Sequence, residues 1–304
     1  MNSKDFLLLG VVVFSMLAGI FVPALGDPFE PCLTFFMIVF LYLSFLRVNL
    51  LTVIRSIMDV RLTAILLLVK LLAIPLCLYY ITKFFFPSYA LPVLLLSGIS
   101  TGVVAPFISN IVAGNTSLVV SMVVLSSLLV PFTLPLLVKY LATEEMEISL
   151  VAMVRLLALI VFIPMGAREV SERYVPRLIQ WGEKAQYPIS LVLIGFTLLA
   201  VFGKYSAFFF RQPGQIFIAV SMAFFLSALY ITIGTVLLRG RSREDQLAGG
   251  ISMACLNNVL VLVFSSQFFG PLAATLAAMY MLPFFAMIIP IRLIFKIKED
   301  QDHS

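Results

Sequence analysis

Long apolar stretches recur along the whole chain and are separated by short polar connectors. A transmembrane α-helix rises about 1.5 Å per residue, so it needs about 20 residues to cross a hydrocarbon core of about 30 Å. Ten stretches approach that length: 6–25, 31–46, 62–84, 90–113, 116–141, 148–166, 188–202, 215–238, 246–268 and 271–295. Of the 304 residues, 62% are hydrophobic and 12% are charged, which is more apolar surface than a soluble core absorbs. We therefore predict an all-α integral membrane protein with ten transmembrane helices.

Two of these stretches, the fourth and the ninth, contain residues that weaken a helix. Gly98, Gly102 and Pro106 interrupt the fourth, because glycine lacks the Cβ restraint and proline removes a backbone donor. The segment 249–258, GGISMACLNN, interrupts the ninth. Hydrocarbon cannot satisfy the backbone groups released by a break, so both segments are expected to face protein or a water-filled cavity. The alternative is two ordinary kinked spans, since glycine and proline are common in membrane helices.

Lysine and arginine are unevenly distributed between the two sides of the predicted bundle. The side that holds both termini has 14, and the opposite side has four. Cytoplasmic loops are enriched in these residues, so both termini are expected in the cytoplasm, with the protein in the cell (inner or plasma) membrane. The basic residues form no continuous stripe, so the expected surroundings are a lipid bilayer and not nucleic acid.

The position of the two breaks predicts an internal repeat. Five spans in each half would insert the second half inverted relative to the first, and the broken span is the fourth of each half. Two inverted five-helix repeats with paired broken helices are typical of secondary transporters. The connectors 47–61 and 168–186 mix basic and apolar residues and are expected to be short amphipathic segments at the membrane surface.

Two basic residues, Lys70 and Arg155, are expected deep in the membrane, whereas all 15 acidic residues fall in connectors or tails. The predicted spans therefore lack the intramembrane carboxylate that cation-coupled carriers commonly use. An ionisable group at this depth is a candidate functional residue, with snorkelling to the surface as the alternative. Because a guanidinium keeps its charge, Arg155 is expected to line an aqueous cavity or to meet an anion.

Small polar side chains cluster around the two predicted breaks. These candidate binding residues are Ser100, Thr101, Ser109, Asn110, Ser252, Asn257 and Asn258. Polar residues also serve as packing contacts between membrane helices, but adjacent buried amides such as Asn257 and Asn258 are costly without a purpose. The single histidine, His303, is in the tail, so we expect neither a metal site nor a cofactor, and no general base for an enzyme.

Several motifs resemble the bile acid:sodium symporter family. They are the run from Gly102 through Asn110, Ala113-Gly114-Asn115, Ser126 and Pro131 to Pro135, and the later segment from Met253 to Leu260. The resemblance covers most of the chain. It implies a panel domain formed by 1–61 and 143–212 beside a core domain formed by 62–142 and 213–304, with the broken helices crossing in the core.

The sequence departs from the sodium-coupled members at the positions where the resemblance places sodium ligands. A glutamate and a glutamine of the second broken helix fall on Ser252 and Leu256, and the other ligand positions fall on Ala105, Pro106, Val119 and Val123. A glutamine of the third span that approaches sodium falls on Lys70. Most side-chain ligands are thus replaced by apolar groups, and one is replaced by a cation.

The resemblance and these departures lead to one functional hypothesis with two alternatives. We expect a transporter of a small organic anion in which the Lys70 ammonium replaces sodium and donates to Ser252, Asn257 and freed carbonyls. A lysine that titrates would instead make the carrier respond to pH. The same fold without coupling ligands would also suit a membrane solute sensor that performs no net transport. The oligomeric state is left open.

Overall fold

The computed structural model describes residues 3–46, 59–142, 149–283 and 286, and α-helices joined by short turns make up these ranges. The α-helices are α1 (Ser3–Phe21), α2 (Leu33–Phe45), α3 (Val60–Leu68), α4 (Ile74–Phe85), α5 (Ala90–Ser97), α6 (Ala105–Ile111), α7 (Thr116–Ala142), α8 (Leu150–Tyr174), α9 (Pro176–Lys204), α10 (Ser206–Arg211), α11 (Pro213–Leu237), α12 (Arg243–Ala254), α13 (Asn258–Phe268) and α14 (Pro271–Met279). A π-helical turn, Val69–Ala73, joins α3 to α4.

Most of these helices are long and apolar enough to belong in a bilayer. Six segments meet the length and composition expected of a membrane span: Pro23–Phe45, Val60–Phe85, Thr116–Ala142, Leu150–Tyr174, Pro176–Lys204 and Pro213–Leu237. Four shorter apolar helices are Gly10–Phe21, Pro87–Ser97, Asn258–Phe268 and Pro271–Pro283. Large apolar side chains such as Phe14 and Phe217 are about three-quarters exposed, at 74% and 76%, as expected for side chains that face lipid. The predicted all-α class is therefore confirmed, and the protein is a multi-pass integral membrane protein.

The predicted connector at 168–186 is not a separate segment between two helices. α8 continues without interruption to Tyr174, and α9 begins at Pro176 and runs to Lys204. Both helices are therefore longer than the sixth and seventh predicted stretches. The chain turns at Val175, because the ring of a following proline disfavours the helical conformation of the residue before it. In the other predicted connector, residues 47–58 lie outside the described ranges.

Arg168 differs from the other basic residues expected in this connector. Its side chain does not snorkel to a surface but is buried in α8, with the residue only 3% exposed. Its Nη1 atom pairs with Glu169 at 2.7 Å and with Glu172 at 2.5 Å. Neighbouring carboxylates on the same helix therefore compensate the buried charge.

Contacts between helix ends define two rims of the bundle. The Asp59 rim is held by an Asp59–Arg241 ion pair of 2.9 Å and an Asn115–Asp245 hydrogen bond of 2.8 Å. The Glu30 rim is held by a Glu30–Lys204 ion pair of 2.8 Å and a hydrogen bond of 2.6 Å from the Tyr89 hydroxyl to the Gln215 carbonyl. The continuous segment Val60–Phe85 leads from the first rim towards the second.

The fourth apolar stretch is broken where the sequence predicts, although its three breaking residues have different roles. α5 ends at Ser97 and α6 starts at Ala105, so Gly98 and Gly102 lie in the unwound segment between them. Pro106 instead occupies the first turn of α6. A first-turn residue has no intrahelical partner for its N–H, so proline starts this helix and does not break it.

The ninth stretch is also broken, over three residues within the predicted segment 249–258. α12 continues through Gly249 and Gly250 and ends at Ala254, and the unwound segment is 255–257. A Cβ atom on Gly250 would lie 2.8 Å from Thr235 Oγ1, and one on Gly249 would collide with the carbonyl of Gly234 on α11. These glycines therefore allow α12 to pack directly against α11 and do not interrupt it.

Candidate functional site

The two unwound segments pair with each other in the protein interior. Thr101 and Leu256 form an isolated antiparallel β-bridge. Beside it, the Gly102 N–H donates to the Cys255 carbonyl at 2.7 Å. A Cβ atom at position 102 would lie 2.6 Å from the Leu256 carbonyl oxygen, so only glycine allows the backbones to approach this closely. The crossover defined by 98–104 and 255–257 is thus a direct backbone contact between the two broken helices.

A second backbone bond completes the pairing. In a continuous helix the Asn257 N–H would donate to the Met253 carbonyl, four residues earlier. It donates instead to the Ser100 carbonyl of the other broken helix, at 3.0 Å. Pairing of the two segments therefore releases a carbonyl at the end of α12.

The end of α12 exposes four such carbonyls, and each accepts a hydrogen bond from another part of the chain. Ser252 accepts from Thr101 Oγ1 at 2.9 Å, Met253 from Lys70 Nζ at 3.3 Å, Ala254 from the Tyr280 hydroxyl at 2.9 Å, and Cys255 from the Gly102 N–H at 2.7 Å. Four donors from four positions therefore replace the helical partners that the break removes.

Lys70 is the charged donor of this set, and it is only 2% exposed. It lies in the π-helical turn Val69–Ala73, where Pro75 has no N–H to continue the α-helical ladder. None of the ion pairs within the described ranges includes Lys70. The C-terminal end of a helix carries partial negative charge, so the end of α12 stabilises this ammonium where a carboxylate would otherwise be needed.

Four polar atoms at the crossover are buried and have no hydrogen-bond partner among the described residues: Ser100 Oγ, Ser252 Oγ, Asn257 Nδ2 and Asn258 Oδ1. The other amide atom of Asn257, Oδ1, accepts from the Leu260 N–H at 3.3 Å and caps α13. Buried polar atoms are normally paired, so these groups are available to a small polar solute or to water.

The predicted contacts of Lys70 are therefore right in part. The ammonium does donate to a carbonyl freed at the crossover, that of Met253. The expected donation to Ser252 and Asn257 is not observed: Ser252 Oγ has no partner in the described chain, and the Oδ1 atom of Asn257 accepts from the Leu260 N–H. The backbone at the end of α12 holds the ammonium.

Three predicted site residues do not take part in the crossover contacts. Ser109 is buried, but its hydroxyl accepts from Thr116 Oγ1 at 3.4 Å in the turn that follows α6. Asn110 is exposed at the end of the same helix, and Arg155 is exposed near the start of α8. The structure thus brings together Lys70 and the two unwound segments, but not these three.

Two side chains at the crossover were missed by the sequence analysis. Tyr280 donates to the Ala254 carbonyl, and Ser126 Oγ accepts from the Thr101 N–H at 2.9 Å. A buried tyrosine needs a partner for its hydroxyl, so a tyrosine within an apolar span was an available signal for the first. Ser126 belongs to the family motif, but the motif gives it no role at the site, and serines are frequent in membrane helices.

Most of the positions where the resemblance implies sodium ligands carry no ligand side chain here, and the hydroxyl of Ser252 is the exception. Ala105, Val119 and Val123 are buried apolar side chains, and Leu256 takes part through its backbone in the β-bridge. A hard cation needs oxygen ligands, which these side chains lack. One carbonyl that could coordinate a cation, that of Met253, accepts from Lys70 instead. These residues do not fit a sodium site of that composition.

This arrangement defines the class of protein. Unwound backbone is tolerated within a membrane only where protein or water satisfies it, and paired broken helices are the usual centre of a secondary transporter. Residues 32–212 match the model of the Sodium Bile acid symporter family. The match covers more than half of the chain, so the chain belongs to this family, as its motifs indicated. A separate comparison with curated proteins found no match. Members of the family are transporters and not enzymes.

Proposed function

We propose that the protein is a secondary transporter of a small organic anion that does not use sodium at the usual sites, because Lys70 takes the place of the cation. The observation that carries this proposal is the contact of 3.3 Å between Lys70 Nζ and the Met253 carbonyl at the buried end of α12. A cation at this point would neutralise the helix end and hold the two unwound segments together. A tethered ammonium does both without a bound ion.

The proposed architecture is ten spans in two inverted five-helix repeats. Six long and four shorter apolar helices support this count, and the breaks fall in the fourth and ninth stretches. The panel domain would comprise 1–61 and 143–212, and the core domain 62–142 and 213–304. Movement of panel against core would then expose the crossover to each side of the membrane in turn.

The proposed substrate is an anion because the free polar groups near the crossover are mainly donors. Asn257 Nδ2 and the hydroxyls of Ser100 and Ser252 can each donate to a carboxylate oxygen. The N-terminal end of α13 adds partial positive charge. Arg155 is exposed on α8, where it would attract an anion towards the panel without binding it at the crossover.

The proposed orientation places the Asp59 rim in the cytoplasm and the Glu30 rim outside. The excess of lysine and arginine on the side of the termini, 14 against four, supports it. The same reasoning favours the cell (inner or plasma) membrane.

Flux measurements in proteoliposomes would test the proposal. We expect uptake of at least one member of a panel of small organic anions at equal rates with sodium and with potassium outside. Strong stimulation of uptake by sodium would contradict the role given to Lys70. Anion-induced thermal stabilisation of the purified protein would identify the substrate beforehand, because a ligand that binds only the folded state raises its stability.

The same measurements separate transport from sensing. Replacement of the coupling ligands by apolar residues also suits a solute sensor, which would be stabilised by its ligand but would show no flux. Binding without net uptake in sealed vesicles would therefore favour the sensor hypothesis over the transporter hypothesis. Binding and uptake together would exclude a pure sensor.

A further inference from the structure

A second group of donors holds the far end of the second broken helix. α13 ends at Phe268, near the Glu30 rim. Lys204 Nζ donates to the Ser266 carbonyl at 3.3 Å, and the Tyr205 hydroxyl lies 3.2 Å from the same oxygen and 3.3 Å from the Phe269 carbonyl. These carbonyls lie at the end of a helix, where they lack helical partners and carry partial negative charge.

The two donors, Lys204 and Tyr205, lie in a tightly packed part of the chain. Lys204 Nζ also pairs with Glu30 Oε1 at 2.8 Å. A Cβ atom on Gly203 would lie 3.0 Å from the Pro23 carbonyl, and one on Gly26 would lie 2.6 Å from the Leu199 carbonyl. The turns before α2 and the end of α9 are therefore in direct backbone contact.

These contacts cross the boundary between the two proposed domains. Glu30, Lys204 and Tyr205 belong to the panel ranges, whereas Ser266 and Phe269 belong to the core. We propose that Lys204 and Tyr205 form an outer clamp, which closes the crossover towards the Glu30 rim and releases when the panel moves away from the core. This inference rests on the proposed function, because it requires panel and core to move against each other.

The clamp is suited to repeated opening, in contrast to the crossover. The Lys204 side chain is 32% exposed and Glu30 is 42% exposed, so water solvates both charges when the contact opens. The Ser266 and Phe269 carbonyls also become accessible to water at the rim. Lys204 and Tyr205 are therefore positioning residues, which set how often the outer path opens without contacting the substrate.

Accessibility of a cysteine at position 266 would test the clamp directly. Ser266 is only 3% exposed, and Ser266→Cys retains the backbone carbonyl that the clamp uses. Cys32 and Cys77 are replaced by serine, and buried Cys255 is kept, with its labelling measured in the chain that lacks Ser266→Cys. A charged, membrane-impermeant maleimide is then added to sealed proteoliposomes from the side of the Glu30 rim.

We expect Lys204→Met and Tyr205→Phe each to accelerate labelling of Ser266→Cys by about fivefold to tenfold, the effect of losing about one hydrogen bond. Lys204→Arg should restore slow labelling, because a guanidinium also donates to a carbonyl. Lys139→Met, an exposed lysine on α7, is the matched control and should leave the rate unchanged.

A second reporter distinguishes opening of the clamp from general loosening. Ala273 on α14 is 5% exposed and lies outside the clamp, so Ala273→Cys should label equally slowly in all variants. Unchanged labelling at position 266 in both clamp variants, or equal acceleration at 273, would overturn the inference. Labelling needs no substrate, so an absence of anion flux in the same vesicles would reject the proposed function separately.

Discussion

The two halves of the second broken helix end in the same way but in different surroundings. A lysine Nζ lies 3.3 Å from a carbonyl at the C-terminal end of each half, Lys70 at Met253 and Lys204 at Ser266. Lys70 is 2% exposed and belongs to none of the ion pairs in the described ranges. Lys204 is partly exposed and is paired with Glu30.

The difference shows how depth changes the role of one interaction. At the rim, water and Glu30 can replace either partner, so the contact is suited to breaking and re-forming. At the crossover, loss of the ammonium would leave the Met253 carbonyl buried and unpaired, at a cost of about 1–3 kcal/mol. The buried lysine is therefore part of the folded crossover, whereas the rim lysine fastens two parts that can separate.

Removing the buried amine should have the largest effect. We expect Lys70→Ala to abolish uptake and to lower the unfolding temperature in detergent, because Met253 loses its partner and the helix end loses its cation. Lys70→Gln should not restore uptake, since an amide can donate to the carbonyl but carries no charge. Lys204→Met is the comparison and should retain measurable uptake. Full activity of Lys70→Gln would show that the hydrogen bond matters and the charge does not.

Forcing the two backbones apart at the buried end should have the next largest effect. Gly102→Ala places a Cβ atom 2.6 Å from the Leu256 carbonyl, and overpacking of this kind costs about 1–3 kcal/mol. Gly166→Ala, with open space around its Cβ atom, is the matched control. Thermal unfolding of the two variants measures the difference. Equal unfolding temperatures for the two variants would mean that the crossover accommodates the added methyl group and that its close backbone contact is not needed for stability.

Removing one neutral hydrogen-bond donor from the crossover should reduce the stability of the protein by a smaller amount. Thr101→Val deletes the bond from Thr101 Oγ1 to the Ser252 carbonyl, a loss of about 1 kcal/mol. Thr197→Val is a matched control, because Thr197 is equally buried but donates within its own helix, to Leu193. Thr101→Ser should behave like the unmodified protein. A Thr101→Val variant no less stable than Thr197→Val would remove this bond from the set that holds the crossover.

Weakening the rim end should affect transport more than stability. Lys204→Met and Glu30→Gln should change the maximal uptake rate with little change in unfolding temperature, because water replaces the lost partner. Uptake by the unmodified protein at increasing ionic strength provides an independent measurement, since salt screens exposed ion pairs. If Lys204→Met lowered the unfolding temperature as much as Lys70→Ala, the two lysines would have the same structural role, and the contrast between rim and crossover would be wrong.

The Asp59–Arg241 pair at the opposite rim should give the smallest effect. The pKa of the Asp59 carboxyl is held below its usual value. The main cause is the hydrogen bond that it accepts from the Leu62 N–H, and the charge of Arg241 adds to it. A carboxyl with a lowered pKa in the folded state stabilises it at neutral pH, and this contribution is lost as the pH falls below about 4, through the folded pKa. Asp59→Asn should therefore lower the unfolding temperature slightly at pH 7 but not in acid. A difference that persists in acid would assign it to another cause.

Three features show how much of the structure the sequence could predict. Gly98 and Gly102 marked an unwound segment correctly, because an apolar run with glycines has few other uses for them. Gly249 and Gly250 lie in the predicted segment 249–258 but do not break the helix, since glycine also permits close helix packing, and the sequence alone does not distinguish these two uses. The segment 168–186 was expected to be a separate connector but belongs to α8 and α9, where Arg168 is compensated by acids on the same helix.

The amino-acid sequence by itself determined the membrane environment, the helical class and the family. These follow from composition, run length and local motifs, which act on neighbouring residues or on the solvent as a whole. Only the tertiary structure decided that the ammonium meets the Met253 carbonyl, 183 positions along the chain. It also decided that Tyr280 and Thr101 satisfy the adjacent carbonyls. These partners depend on which backbone groups the break leaves unpaired. Those groups are defined only when the two broken helices pack together.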